Sequence, residues 1–388
     1  MHIVTHSLIN EINATAWNKL LTDNNPFMRH EFLNGLEECD CAIAETGWQP
    51  AHIAAYTNNL KSELLGVMPC YIKNNSYGEY IFDWSWADAH YRNGLDYYPK
   101  LTNAAPFTPA TGERWLIAKD NTSYSSEEIS TALINAALKF TDEHNFSGLH
   151  CLFLNEEQYT FLGEKQFLQR VSNQFHWRNQ SYQSFDDFLA KMSSKKRKNI
   201  KRERRRVKES NIDYQWLTGS ELNLSTANTI HQFYQRTINY YGARPYLNHA
   251  FFEYLVEHFS EQTLILFAKF EDKVIAGGLY FKSDDCLYGR YWGALDNFHS
   301  VHFETCYYQA IEWCIAHGYA RFEAGAQGEH KLARGLEPNT TYSAHWISHP
   351  QFRVAIDDFL DQEKQHIAEY SNSLQAHSPF KTDDNEPV

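Results

Sequence analysis

Two α/β domains of similar build are what this sequence predicts, and three observations predict them. The chain has 388 residues of which 43% are hydrophobic, too many for one ordinary core. Apolar periodicity switches between helical and strand spacing along its whole length. The order helices, antiparallel strands, a helix and a further strand is met twice, although no residue-level repeat accompanies it.

In the first half, 16–21 carries apolar residues at helical spacing and 27–36 forms a second short helix after Pro26. The runs 50–56 and 64–72 read as paired strands joined by the turn-rich 57–63. Between Tyr71 and Arg114 the chain is dense in aromatic, acidic and proline residues, with Lys73, Glu79, Asp83, Lys100 and Arg114 held beside aromatic surface. That composition suits a binding cleft, and equally a long proline-stiffened connection. An amphipathic helix over 126–143 and a buried strand over 148–154 follow, and the first domain is expected to close by residue 175.

The second half, 176–350, opens with helical spacing over 185–192. It runs into SSKKRKNIKRERRRVKES, residues 193–210. From Lys195 to Lys208 there are ten basic residues and one acid, Glu203, a local +9 that leaves −22 on the rest of a chain whose formal charge is −13. As a helix this segment has only Ile200 and Val207 to bury, and its cations crowd the end where the helix dipole disfavours them. Lys198, Lys201, Arg202 and Arg205 are therefore candidate anion-binding residues, for tRNA phosphates, a nucleotide or an acidic lipid surface; a solvated charged face is the plain alternative. Helices over 227–241 and 250–259 flank YGARPYL, and strands over 263–270, 273–282 and 286–292 follow. A helix over 301–317 closes at Gly318, and a strand over 319–322 delivers the chain to GAQGEHKLARGLEP, residues 325–338. A last helix spans 351–370, expected to pack back on the first domain, before a polar tail over 371–388.

The loop at 325–338 is the leading site candidate. Glycines let a backbone approach a ligand closely, and Glu329, His330 and Lys331 side by side can move protons or hold an oxyanion. A polar surface turn reads as well from the loop alone. Tyr288, Arg290 and Trp292 alternate along one strand and are expected to share a face toward the same cleft.

Composition narrows the classes. No run of about 18 apolar residues occurs and the start lacks a basic region followed by an apolar one, so neither a membrane span nor a signal peptide is expected, and a cytoplasmic location with peripheral membrane contact is. Seven scattered cysteines without a CxxC predict reduced thiols and no structural metal. The net charge argues against a general nucleic-acid binder.

The stretches SYGEYIFDWSWADA at 76–89, YYPKL at 97–101, PFTPATGER at 106–114, QFHWRNQSYQSFDDFLA at 174–190, KKRKNIKRERRRV at 195–207, LYGRYWG at 287–293, HFETCYYQAIE at 302–312 and GAQGEHKLARG at 325–335 resemble the FemAB-like group of the GNAT acyltransferase superfamily, with Leu336 standing where Phe is expected. The resemblance implies tandem GNAT-like domains, each a mixed, mostly antiparallel sheet flanked by helices. It implies N-acyl or N-aminoacyl transfer from an acyl-CoA or an aminoacyl-tRNA to an amine acceptor such as a cell-envelope precursor, with no permanently bound cofactor. A late Phe-x-x-Gly followed by a basic residue matches Phe322, Gly325 and Lys331, and implies a phosphate- or oxyanion-holding lysine. The usual superfamily pyrophosphate loop is not cleanly present, which leaves both donors open.

On this reading Lys331, Glu329, His330 and Glu304 are the candidate catalytic residues. Arg290, Trp292, His302, Gln327, Arg334, Tyr246, Asp83 and Lys100 are the candidate substrate-binding residues. Glu304 reads equally well as an acid favoured near a helix start. A non-catalytic module that recognises a peptidoglycan or lipid precursor is the rival class, and the absence of HExxH or paired ligand spacing leaves a metallohydrolase a distant third.

Overall fold

The computed structural model describes residues 1–296, 298, 300–326 and 328–381. In chain order the elements are β1 (His2–His6), α1 (Ala14–Asn18), α2 (His30–Glu38), β2 (Gln49–Pro50), β3 (His52–Tyr56), β4 (Leu64–Met68), β5 (Cys70–Lys73), α3 (Trp84–Arg92), β6 (Lys100–Asn103), β7 (Leu116–Ile117), α4 (Ser126–Glu143), β8 (Gly148–Leu154), α5 (Glu156–Glu164) and β9 (Leu168–Arg178). Then come α6 (Phe185–Lys191), α7 (Ser194–Glu209), β10 (Ile212–Thr218), α8 (Leu224–Tyr240), α9 (His249–His258), β11 (Thr263–Phe270), β12 (Lys273–Lys282) and β13 (Cys286–Ala294). A broken helix follows as α10 (Val301–Phe303), a π-helical turn (Glu304–Tyr308) and α11 (Gln309–His317), then β14 (Arg321–Glu323), β15 (Glu337–Ile347) and α12 (Pro350–Gln375).

The chain divides into two compact units. The first comprises Met1–Ser172 and Thr340–Ile367; the second comprises Asn173–Asn339 and the segment from Ala368. Sequence reading set the junctions at 175 and 350 and expected the last helix to pack back on the first domain; the first unit takes up the chain again at Thr340, within β15, and keeps α12 as far as Ile367.

In the first unit β1, β3, β4 and β7 form one small antiparallel sheet, and β15, β8, β6, β5 and β2 lie side by side in a second array where only β6 and β8 run parallel. Strand β8 is buried along its whole length, because α4 and α5 supply Ile129, Leu133, Ile134, Ala137, Tyr159 and Leu162 to its core. Helix α4 starts where Ser125 and Glu128 satisfy each other's backbone N–H groups at 3.1 and 2.7 Å. Phe352, Ile356 and Leu360 of α12 join Trp86, Tyr97 and Ile347 in a separate first-unit cluster, with Phe352 stacked on His90.

In the second unit the strand order is β10, β11, β12, β13, β14, β9. The strands β10 to β13 form an antiparallel meander, in which β11 to β13 lie where the spacing predicts while β10 was not expected, and α8 packs so closely on β13 that a Cβ added to Gly293 would lie 2.1 Å from the Phe233 carbonyl oxygen. Strand β14 runs parallel to β13, reached by the crossover through α10 and α11. Both units thus have the expected build, mixed and mostly antiparallel sheets flanked by helices.

Three expectations are corrected. Strand β15 begins at Glu337 inside the run read as loop, because its polar, Thr-rich start hid the alternation. Helix α12 continues to Gln375, beyond the expected end at Tyr370, since Leu374 is buried in the second unit's core; Phe380 packs there too, and the part of the expected tail over 382–388 lies outside the described residues. The single helix over 301–317 carries a π turn at its centre.

Candidate functional site

The site begins where two parallel strands part. β13 and β14 pair only from Cys286 with Arg321 to Tyr288 with Glu323; β13 then runs on to Ala294 while β14 ends. Among the described residues, the wedge between them leaves the edge of β13 without a strand partner on that side. It holds a cavity of about 140 Å³, whose walls include Arg290, Trp292, His302, Cys306, Tyr307 and Ala324. A larger depression of about 420 Å³ shares Trp292 and His302 with it and is rimmed by the exposed Tyr240 and Tyr241.

Arg290 owes its position to a β-bulge. Tyr280 pairs with Gly289 and Leu279 with Tyr291, so Arg290 is the extra residue on the bulged strand. The bulge reverses the alternation, and the expectation that Tyr288, Arg290 and Trp292 share a face is wrong. Trp292 lies on the face of Gly289 and Tyr280, against His302 with ring centroids 4.7 Å apart, whereas Tyr288 lies on the opposite face and is buried.

Lys331 stands beside the wedge on a 3-10 turn, Glu329–Arg334. Its side chain is 3% exposed and its Nζ donates to the Gly325 carbonyl at 2.9 Å. Gly325 presents that carbonyl from a φ of 81°, a conformation side-chain-bearing residues rarely adopt. Burial pushes the Lys331 ammonium down to about 8, partly opposed by the Cys306 thiol. It remains a cation at neutral pH, with one carbonyl partner and little water.

His330 is exposed at the rim, and its Nε2 lies 2.8 Å from the Tyr307 hydroxyl, which links it to the cavity wall. Burial, with Arg334 and Lys331 nearby, lowers the His330 pKa. His302 is pushed further, to about 4, by burial and then by the charges of His330, Arg334 and Lys331, so it is a neutral imidazole at pH 7. Glu329 is exposed and accepts a hydrogen bond from Tyr370 at 2.6 Å.

Glu304 is held through one of its two carboxylate oxygens, Oε1, while its buried Oε2 has no hydrogen-bond partner among the described residues. It opens the π turn at 3% exposure and accepts from Arg204 Nε at 3.1 Å and from Gln309 at 2.8 Å. Burial raises the carboxyl against the pull of Arg204, while Arg204 itself is raised by Glu304 and Glu312 despite burial; the desolvation falls on the more deeply buried carboxylate. Through Arg204 it ties the π turn to α7.

The basic segment is the helix α7, with Ile200 and Val207 its buried residues, as its spacing predicts. Its one inner acid explains itself in the structure. Glu203 accepts from the Tyr308 hydroxyl and pairs with Arg334 at 3.3 Å, and Arg334 in turn donates to the His330 carbonyl and lies 3.4 Å from the Phe303 ring centre. Consecutive residues Glu203 and Arg204 thus grip both the loop that carries Lys331 and the turn that carries Cys306 and Tyr307. Lys198, Lys201, Arg202 and Arg205 face outward, exposed, with Lys201 paired to Asp186 at 2.7 Å.

The remaining candidates lie elsewhere. Tyr246 is half-buried, its backbone N–H bound to the Tyr234 hydroxyl. Gln327 lies outside the described residues. Asp83 and Lys100 belong to the first unit, where they form a closed knot rather than a cleft. Lys100 is fully buried, pairing with Asp83 and with Glu79 at 2.8 Å, and Tyr97 donates to Asp83 at 2.6 Å. Although burial alone raises a carboxyl, Lys100 holds that of Asp83 far below the usual range. Sequence reading missed Cys306 and Tyr307, whose signal was present in the FETCYY run beside Glu304 but merges with ordinary helix packing.

A buried ammonium thus stands beside the wedge between parallel strands and a histidine–tyrosine pair at its rim, and among the described residues no group of His, Cys, Asp and Glu is placed to hold a metal ion. By its sequence the chain belongs to the FemAB-like family, described as peptidoglycan biosynthesis/recognition, whose model matches residues 8–382. No curated protein matches it in sequence. Among solved structures the chain is similar to FemX, with a TM-score of 0.53 and 10% identity over 92% of this chain and 100% of that one. It is similar to L-PGS from Bacillus licheniformis, at 0.51 and 10% over 87% and 98%. A conserved protein of unknown function from Bacteroides thetaiotaomicron gives 0.52 and 10% over 89% and 99%. At these identities the likeness is one of fold.

Proposed function

We propose that the chain transfers an acyl or aminoacyl group from an activated donor, an acyl-CoA or an aminoacyl-tRNA, to an amine on a cell-envelope precursor. The observation that carries this reading is Lys331, a buried cation held against one carbonyl beside the cavity between β13 and β14. The family's description and the fold shared with FemX support it.

In this mechanism the acceptor nitrogen attacks the donor carbonyl. The new C–N bond forms as the C–O or C–S bond to the donor breaks, and the leaving group takes up a proton. Charge develops on the carbonyl oxygen, and Lys331 is the group that stabilises it there, or else holds a donor phosphate. The amine must lose a proton, and His330 backed by Tyr307 is the acceptor that the geometry favours over Glu304 and over the strongly depressed His302. Arg290, Trp292 and His302 bound the reacting groups.

The test incubates the purified chain with a lipid-linked muramyl peptide bearing a free amine, and separately with radiolabelled acyl-CoA and radiolabelled aminoacyl-tRNA. Label should pass to the amine from one donor and not in a folded Lys331→Met variant. Precursor binding without transfer from either donor would overturn the enzyme reading in favour of a recognition module.

A further inference from the structure

Behind the π turn lies a second feature that the transfer reading leaves unused. A trough of about 580 Å³ runs between α6, α7 and β10. Its cationic lip is Lys201, Arg205 and Lys208, all exposed, and its base is apolar, formed by Phe185, Leu189 and Ile212. The outer face of α7 extends the positive strip through Lys198 and Arg202.

We propose that this trough and strip dock the protein on an anionic phospholipid surface. Two features favour lipid headgroups over a nucleic acid. Asp186 and Glu312 stand among the cations, where a continuous phosphate backbone would meet carboxylates at close range, while separate headgroups can take positions around them. The apolar base gives acyl-chain carbons a surface that a phosphate backbone has no use for. The inference does not depend on the transfer chemistry. It adds to it a geometry: Glu304 at the trough is the first residue of the turn whose Cys306 and Tyr307 line the cavity, so a lipid-borne acceptor would arrive beside it.

The experiment is vesicle flotation of the full chain with phosphatidylcholine alone and with phosphatidylcholine containing phosphatidylglycerol, at low and physiological salt. Binding should require phosphatidylglycerol and weaken with salt. The double substitution Arg205→Ala and Lys208→Ala should lower the partition coefficient roughly 30-fold, since each basic residue near such a surface contributes about fivefold. Circular dichroism should match the parent, because both side chains are exposed. Equal binding to neutral vesicles, or an unchanged partition coefficient in the double variant, would overturn the proposal. So would tRNA binding that is lost in the variant while phosphatidylglycerol vesicles fail to bind.

Discussion

Replacing Lys331 by Met should abolish transfer and yet make the protein more stable. The side chain is 3% exposed, and burial carries its pKa from 10.5 to about 8. A depression of that size corresponds to about 3 kcal/mol by which the charged form is disfavoured in the folded chain. Methionine has nearly the length of lysine and fills the same space. It leaves the Gly325 carbonyl without its donor, at a cost of about 1 kcal/mol. The net gain is about 2 kcal/mol, or roughly 4–8 °C in Tm for a unit of this size. The sign with pH follows from the direction of the shift. Below pH 8 lysine is charged in both states and the parent bears the full penalty. Between 8 and 10.5 the folded lysine loses its proton while the unfolded one keeps it, so the parent gains stability and the gap to the variant closes. Calorimetry of both proteins from pH 6 to 10 measures this, and the parent's rate should show an alkaline limb near 8. The loss in kcat for removing a group that stabilises an oxyanion is about 10²–10³. A variant that melts below the parent at pH 7, or a gap that does not close by pH 10, would refute the reasoning about the buried ammonium; retained turnover would remove Lys331 from the mechanism.

The other predictions follow from the same contacts. Glu304→Gln should keep more than about a tenth of the rate with an unchanged pH profile, because the carboxylate is a tie to Arg204; a fall of 10²–10⁴ with loss of one limb would make it the base after all. Gly325→Ala should lose about 1–2 kcal/mol of stability in urea unfolding, since alanine resists a φ of 81°, and should shift the alkaline limb by moving the carbonyl that Lys331 holds. Lys100→Met leaves Asp83 and Glu79 buried without their cation and should cost about 3–5 kcal/mol, seen as a lower urea midpoint. Asp83, held low by Lys100, supplies stability that is present above the ordinary carboxylate range and lost as pH falls, so the parent should lose it in acid while the Lys100→Met variant, already deprived of it, changes less.

What the sequence disclosed and what it withheld divide along a physical line. Periodicity reports which side chains leave water, so α7 with its Ile200 and Val207, the β11 to β13 strands and the helix over 301–317 were legible. Charge density marked α7 as unusual. Neither signal reports which partner a buried polar group meets, and the site is decided by partners. Asp83 and Lys100 looked like cleft residues because charge beside aromatic residues fits a cleft and an internal ion-pair knot alike; only their mutual distance separates the two. The bulge at Arg290 depends on cross-strand register, which is a relation between β12 and β13 that neither strand carries by itself. Glu203 is the sharpest case. In the sequence it is the one acid in a segment of ten cations and reads as noise within it. In the fold it is the residue through which that run holds Arg334 and Tyr308, next to Arg204 holding Glu304. A helix that faces outward with its cations and inward with this one acid ties whatever binds its outer face to the loop and turn that frame the cavity, and that link is what gives so costly a charge cluster a place beside the site.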